Sequence, residues 1–306
     1  MFLPFDPSIW HGRIDSEEGP LGRRWHQQVL SPRADAPGTA LIGFACDAGV
    51  ARNHGRIGAA GGPAAIRSAL AGLAWHGERP LYDAGDVRCD GDALEAAQQE
   101  LGEQVATLLD AGHRPLVLGG GHEVAFGSWQ GLAAHCARQS RPLVIGIINL
   151  DAHFDLRAGD RATSGTPFRQ IADDCAARGW PFHYACLGVA APSNTAALFA
   201  RARELGVQWV DDQSMRDWHP AILGDFIDRV DVIHLSIDLD VLPASVAPGV
   251  SAPAAFGVEL AVIERIAAQV RASGKLRLAE LAELNPRHDI DSHTARIAAR
   301  LVFQLL

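Results

Sequence analysis

The sequence predicts an α/β protein: a three-layer α/β/α domain on a central, mainly parallel sheet. Two observations carry this. Strand-like and helix-like stretches alternate from residue 40 onward, as in chains that place helices on both faces of a sheet. Several strand-like runs are continuously apolar, Leu143-Val-Ile-Gly-Ile-Ile148 among them. Such runs suit strands buried on both faces, whereas half-exposed strands alternate.

Taken in order, residues 1–38 carry Pro4, Pro7, Pro20, Pro32 and Pro37 and no sustained periodicity. They read as an irregular N-terminal arm, wrapped over the domain or used in an oligomer contact. Strands are expected at 40–45, 115–118, 143–149, 183–187, 207–210, 232–237 and 276–281. Helices are expected at 93–111, 123–139, 194–205, 220–230, 258–272 and 291–306. The first helix keeps apolar residues at helical spacing and stops at Gly112. No linker, repeat or low-complexity tract divides the chain, so 1–306 is expected to be a single domain.

Composition narrows the function classes. Hydrophobic residues make up 48% of the 306 and charged residues 21%, with net charge −9. No Lys/Arg-rich run appears beyond Arg23-Arg24 with Arg33 nearby, which argues against a nucleic-acid partner and for a small-molecule substrate. The five cysteines are scattered, odd in number and form no CxxC pair. That pattern points to a reducing, cytoplasmic setting. The start, MFLPFDPSIWHGRID, lacks a basic segment followed by a long apolar core. No apolar run approaches the roughly 18 residues needed to span a membrane.

In open parallel sheets, sites form outside the carboxyl ends of the strands. Four expected strand ends carry unusual residues: Gly119-Gly-Gly-His122-Glu123, Asp151-Ala-His153-Phe-Asp155, Asp238-Leu-Asp240 and Glu283-Leu-Asn-Pro286. The glycine run lacks GxGxxG spacing and a Walker lysine, so phosphate binding is disfavoured. The glycines instead let the backbone pass close to a centre into which His122 points. Alone, His122 would be an ordinary polar residue at a strand end, and Asp238 and Asp240 a turn or helix cap. Together with Asp151, His153 and Asp155 they are two imidazoles and four carboxylates. Burying such carboxylates unpaired is costly, so cations are expected to compensate them.

In extended backbone, residues i, i+2 and i+4 share a face. Asp151, His153 and Asp155 are therefore expected to converge, as are Asp238 and Asp240. Oxygen ligands with two His and no Cys favour Mn²⁺ or a similar ion over structural zinc. Four carboxylates balance two divalent ions, and ions roughly 3.5–4 Å apart can lower the pKa of a shared water and clamp a developing oxyanion.

These residues resemble the ureohydrolase family of arginase, agmatinase, formimidoylglutamase and relatives. The resemblance runs from about Gly43 onward. It includes Gly49-Val-Ala-Arg-Asn-His-Gly-Arg-Ile-Gly58 with Gly62-Pro63, and the four strand-end motifs. It implies an arginase-like fold, two Mn²⁺ per chain, a homo-oligomer and hydrolysis at a guanidine or amidine carbon. By the family's motifs, His122 and Asp155 would bind one ion and His153 and Asp240 the other. Asp151 and Asp238 would bridge, and Glu283 would face the cationic amidine.

One departure bears on the branch. Arginase- and agmatinase-like sequences carry a proton-transferring His in a His-Gly motif; Ser164 stands there, within Thr163-Ser-Gly-Thr-Pro-Phe168. Serine does not titrate near neutrality, so Asp155 or a water is left to carry the leaving-group proton. The Ser-Gly-Thr-Pro-Phe segment resembles the formimidoylglutamase branch. So do His153-Phe-Asp-Leu-Arg157, Cys186-Leu-Gly-Val with Ser193-Asn-Thr195, and Asp238 to Gly249 with Leu242-Pro243. Arg157 suits a dicarboxylate amidine substrate, because Arg grips a carboxylate through paired hydrogen bonds. Arg161 and Arg169 are weaker candidates for a second carboxylate, and Ser164, Asn194 and Thr195 for neutral substrate contacts. His54 is expected to cap a turn. The implied activity is Mn-dependent hydrolysis of N-formimidoyl-L-glutamate to L-glutamate and formamide, in histidine degradation. The rivals are another ureohydrolase (guanidino-acid hydrolase, agmatinase or arginase) and a catalytically silent scaffold.

Overall fold

The computed structural model describes residues 1–77 and 79–306. Its strands are β1 (Phe2–Leu3), β2 (Val29–Leu30), β3 (Thr39–Ala45), β4 (Leu81–Arg88), β5 (Arg114–Leu118), β6 (Ile145–Leu150), β7 (His183–Val189), β8 (Gln208–Asp211), β9 (Val232–Asp238) and β10 (Leu276–Ala282). Its helices are α1 (Ala48–Arg52), α2 (Gly62–Ala71), α3 (Leu94–Asp110), α4 (Val124–Ala137), α5 (Pro167–Arg178), α6 (Ala196–Glu204), α7 (Ala221–Asp228), α8 (Leu260–Ala272) and α9 (His293–Leu305).

The strands form one sheet in the order β1-β4-β3-β5-β10-β9-β6-β7-β8, with β2 also beside β4. Every pairing is parallel except β1 with β4. Two apolar cores lie on its faces. Leu41, Leu116, Ile148, Leu235 and Leu281 pack with α2, α7, α8 and α9. Ile42, Val117, Ile147, Tyr184 and Leu278 pack with α3, α4, α5 and α6. Helices on both faces explain why the strands lack a polar alternation. The expected three-layer α/β/α fold is the observed one.

Several elements differ from the sequence expectation. β4 reads Leu-Tyr-Asp-Ala-Gly-Asp-Val-Arg, and its carboxylates disguise a central strand. Arg67 of α2 pairs with both: its Nε and Nη2 donate to Asp83 at 2.8 and 2.9 Å, and its Nη1 donates to Asp86 at 2.7 Å. Helices α1, α2 and α5 also lie outside the expected ones. The arm contains two short strands and three 3₁₀ turns, and β1 pairs antiparallel with β4.

The connectivity positions the site. From β5 the chain skips two sheet positions to β6, runs outward through β7 and β8, and returns with β9 and β10 to fill the gap. The carboxyl ends of β5, β10, β9 and β6 are therefore neighbours, although they come from four parts of the sequence. Such a reversal of strand order opens a crevice at the strand ends.

Candidate metal centre and substrate pocket

Three of those strand ends, β5, β6 and β9, bring the six candidate ligands together, and the fourth, β10, adds Glu283. After β5 the glycine run turns tightly: a Cβ on Gly120 would lie 1.8 Å from the Cys46 carbonyl oxygen. His122 then enters the crevice fully buried, and its Nδ1 lies 3.1 Å from Asp151 Oδ2, 3.0 Å from Asp155 Oδ2 and 3.1 Å from Asp238 Oδ2. His153 Nδ1 lies 3.1 Å from Asp240 Oδ2 and 3.4 Å from Asp151 Oδ1. Asp151 thus offers one oxygen to each imidazole. His122, Asp151 and Asp238 form one group that could hold an ion, and Asp151, His153 and Asp240 a second.

The convergence does not arise from extended backbone as the i, i+2 argument supposed. β6 ends at Leu150, and the His153 N–H donates to Asp151 Oδ1 at 2.6 Å in a turn. Asp155 takes a left-handed φ of 48°. Asp240 sits in a 3₁₀ turn, its N–H donating to Asp238 Oδ1 at 2.8 Å. The turns aim the carboxylates inward, so Asp238 is both a turn cap and a member of the cluster.

The donor set fits divalent cations. Nδ1 of His122 and Oδ1 of Asp240 are buried without hydrogen-bond partners. Among the described residues no Lys or Arg nitrogen lies within 4.0 Å of the four carboxylates. Ser236 lies 2.9 Å from His122 Nε2. If that ring nitrogen carries the proton and donates to the hydroxyl, Nδ1 keeps its lone pair for an ion. Asn149 donates to Asp151 Oδ2 at 2.9 Å. Phe168, from the Ser-Gly-Thr-Pro-Phe segment, sets its ring edge-on to His122 at 5.3 Å. Sequence reasoning missed Ser236, Asn149 and Phe168 as supports; only their nearness to the motifs hinted at them.

A cavity of about 330 Å³ opens over this cluster. Its lining includes Glu283, Arg157, Ser164, Asn194, His54 and Arg56. Glu283 has a left-handed φ of 68°; its Oε1 accepts from the His122 N–H at 2.9 Å, while its buried Oε2 has no partner. Burial, with the charge of Glu123 next, pushes its carboxyl up to about 8. The following Asn285 ties this loop to the Gly49–Gly58 segment, donating to the carbonyls of Arg56 and Ile57 at 2.8 and 3.2 Å.

Arg157 is exposed on the rim with no carboxylate partner among the described residues. It runs past Gly165, where a Cβ would lie 2.7 Å from its Cδ. Ser164 accepts from Asn53 Nδ2 at 3.2 Å. Three suggestions change. Asn194 is committed elsewhere: its Nδ2 donates to the carbonyls of Ala152 and Ala190, both at 2.9 Å, and its Oδ1 accepts from the Phe154 N–H at 3.1 Å. It clamps the ligand loop, and both amide hydrogens are spent. Arg161 is paired with Asp92 and Arg169 with Asp173, so neither is free to grip substrate. His54 has a φ of 60° at the end of α1 and also lines the cavity. Arg56, which the sequence argument did not single out, also lines the cavity, its guanidinium donating to the Ser251 carbonyl at 2.9 Å and to the Val250 carbonyl.

Burial also pushes Glu123, beside His122, up to about 7 from an ordinary value of 4.5. Between those values the folded chain keeps a proton that the unfolded chain has lost. Stability of the metal-free protein therefore falls as pH rises through that window, by about 3 kcal/mol at most. Glu283 adds the same sign up to about pH 8. Thermal melts of chelator-treated protein at pH 5 and 7.5 are expected to show Glu123→Gln gaining stability at the higher pH only. An equal gain at both would contradict this assignment.

An arginase-family profile matches residues 37–306. The chain belongs to the arginase family. It is 61% identical to a formimidoylglutamase of Ralstonia nicotianae, over 100% of this chain and 97% of that protein. It is 61% identical to one from Aeromonas hydrophila, over 100% and 99%. Among solved structures, a Trypanosoma cruzi formiminoglutamase with Mn²⁺ superposes at a TM-score of 0.82 with 28% identity, covering 92% of this chain and 97% of that one. Bacillus subtilis arginase superposes at 0.74 with 25% identity, covering 88% and 98%. No helix among the described residues is long and apolar enough to cross a membrane.

Proposed function

We propose that this chain hydrolyses N-formimidoyl-L-glutamate to L-glutamate and formamide, with two Mn²⁺ per chain. The observation that carries the reading is a polarised cavity, with carboxylates at its floor and the unpaired Arg157 at its rim. A substrate with an amidinium at one end and carboxylates at the other matches both. Full-length identity to proteins named formimidoylglutamase supports the same choice.

In this reading His122 and Asp155 would hold one ion and His153 and Asp240 the other, with Asp151 and Asp238 completing the set. Bound there, the ions would activate water near neutral pH and stabilise negative charge on the attacking oxygen. Glu283 accepts hydrogen bonds from the amidinium through its unpartnered Oε2. Asp155 takes the proton of the hydroxyl added to the formimidoyl carbon and passes it to the glutamate nitrogen as the C–N bond breaks, leaving formamide and glutamate. Arg157 grips one carboxylate with paired hydrogen bonds, Arg56 faces the second, and the Ser164 hydroxyl gives a neutral contact. A cytoplasmic setting is supported by five cysteines that stay free thiols. A homo-oligomer is supported by the exposed apolar side chains of Ile14, Leu21 and Leu30 on the arm.

Arg157→Ala tests the reading. Losing a charge-assisted pair worth about 1.5–3 kcal/mol lowers kcat/KM on formimidoylglutamate by roughly 10- to 100-fold. Formamidine, which has no carboxylate, is expected to react equally slowly with both enzymes. A matching loss on both substrates would contradict a carboxylate-gripping role.

A further inference from the structure

At the opposite end of the sheet, where β3, β5 and β10 begin, two adjoining cavities face away from the metal centre. The larger, about 610 Å³, is lined by Arg79, Arg114, Arg271 and Arg277. The smaller, about 350 Å³, is walled by Trp25, Trp75 and Phe303 and shares Thr39, Arg79 and Arg271 with the first. No Asp or Glu among the described residues lines either one. This gathering of guanidiniums stands out in a chain of net charge −9.

Arg114 is half-buried, and its guanidinium donates only to neutral groups: Thr39 Oγ1 at 3.0 Å and the Leu305 carbonyl at 2.6 Å. Among the described residues no carboxylate oxygen lies within 4.0 Å of Arg114, Arg271 or Arg277. Burial, with the nearby charges of Arg79 and Arg271, holds Arg114 below the usual guanidinium range. A cation taken from water and surrounded by like charges is unfavourable until an anion compensates it. Leu306 lines both cavities, and one carboxylate there would still leave guanidiniums in excess among the described residues, Arg79, Arg271 and Arg277 being exposed and Arg114 half-buried. Beside them, Trp25 is fully buried and its indole Nε1, a donor, has no partner.

We infer that the two cavities form a second binding site, distinct from the catalytic pocket, for a small multivalent carboxylate. Its charges lie among Arg114, Arg271 and Arg277, and its carbon skeleton lies against Trp75 and Phe303.

Calorimetric titration of the Mn²⁺-loaded protein with benzene-1,3,5-tricarboxylate at low salt tests this. The probe is flat, and its carboxylates are too far apart to chelate one ion. Saturable binding is expected in the parent and in Arg157→Ala, which alters only the catalytic rim. The double charge reversal Arg271→Glu with Arg277→Glu is expected to weaken it at least about tenfold, with hydrolysis of the catalytic substrate retained. Absence of binding overturns the proposal, as does binding lost in Arg157→Ala, which would place the probe in the catalytic pocket. Sedimentation showing that the double reversal splits an oligomer without weakening probe binding overturns it too, because the arginines would then serve a subunit contact.

Discussion

Asp151→Asn is expected to lower turnover by on the order of 10³-fold or more, several kcal/mol of charge stabilisation. It should also lower bound Mn²⁺ well below two ions per chain. Asp151 is fully buried and is the one carboxylate whose two oxygens face both imidazoles. Asparagine keeps its size and can still accept from the His153 N–H, so the loss would come from the missing charge and not from a collapsed loop. Turnover and metal content measured on the same preparation check this. Full activity with two ions bound would remove Asp151 from the centre of the account.

Glu283→Gln is the second large effect, an expected loss of about 10²- to 10³-fold in kcat/KM. The amide oxygen can replace Oε1 as acceptor for the His122 N–H, so the loop survives. What disappears is the carboxylate that a bound amidinium would hold ionised through Oε2, which has no other partner. Because burial opposes that charge, metal-free Glu283→Gln is expected to melt no lower than the parent above pH 7. A loss smaller than about threefold would assign the amidinium to another group.

The strand-end motifs were legible because each interrupts an apolar run with charge, and a parallel sheet sends such ends to one edge. What the motifs did not disclose was how the side chains converge. Asp155 lies 3.0 Å from His122 Nδ1, but not through the i, i+2 rule: a left-handed residue and two Asx-type turns do the aiming. β4 was hidden because its carboxylates are paired with Arg67, 16 residues before Asp83, a long-range pairing that no local window reports. Asn194 looked like a substrate contact from its place beside the pocket motifs, yet its hydrogen bonds hold Ala152, Phe154 and Ala190. Ser236 gave no signal of its own, since one serine within an apolar strand is unremarkable until His122 is seen 2.9 Å away.

The central claim is that a paired-ion centre under a cationic rim selects a dicarboxylate amidine. Turnover of purified protein on formimidoylglutamate, agmatine, arginine and a guanidino acid, with Mn²⁺ and with chelator, tests it most directly. The account predicts equal amounts of formamide and glutamate from formimidoylglutamate, dependent on Mn²⁺, and little urea from the other three. Mn²⁺-dependent urea production without formamide would contradict it.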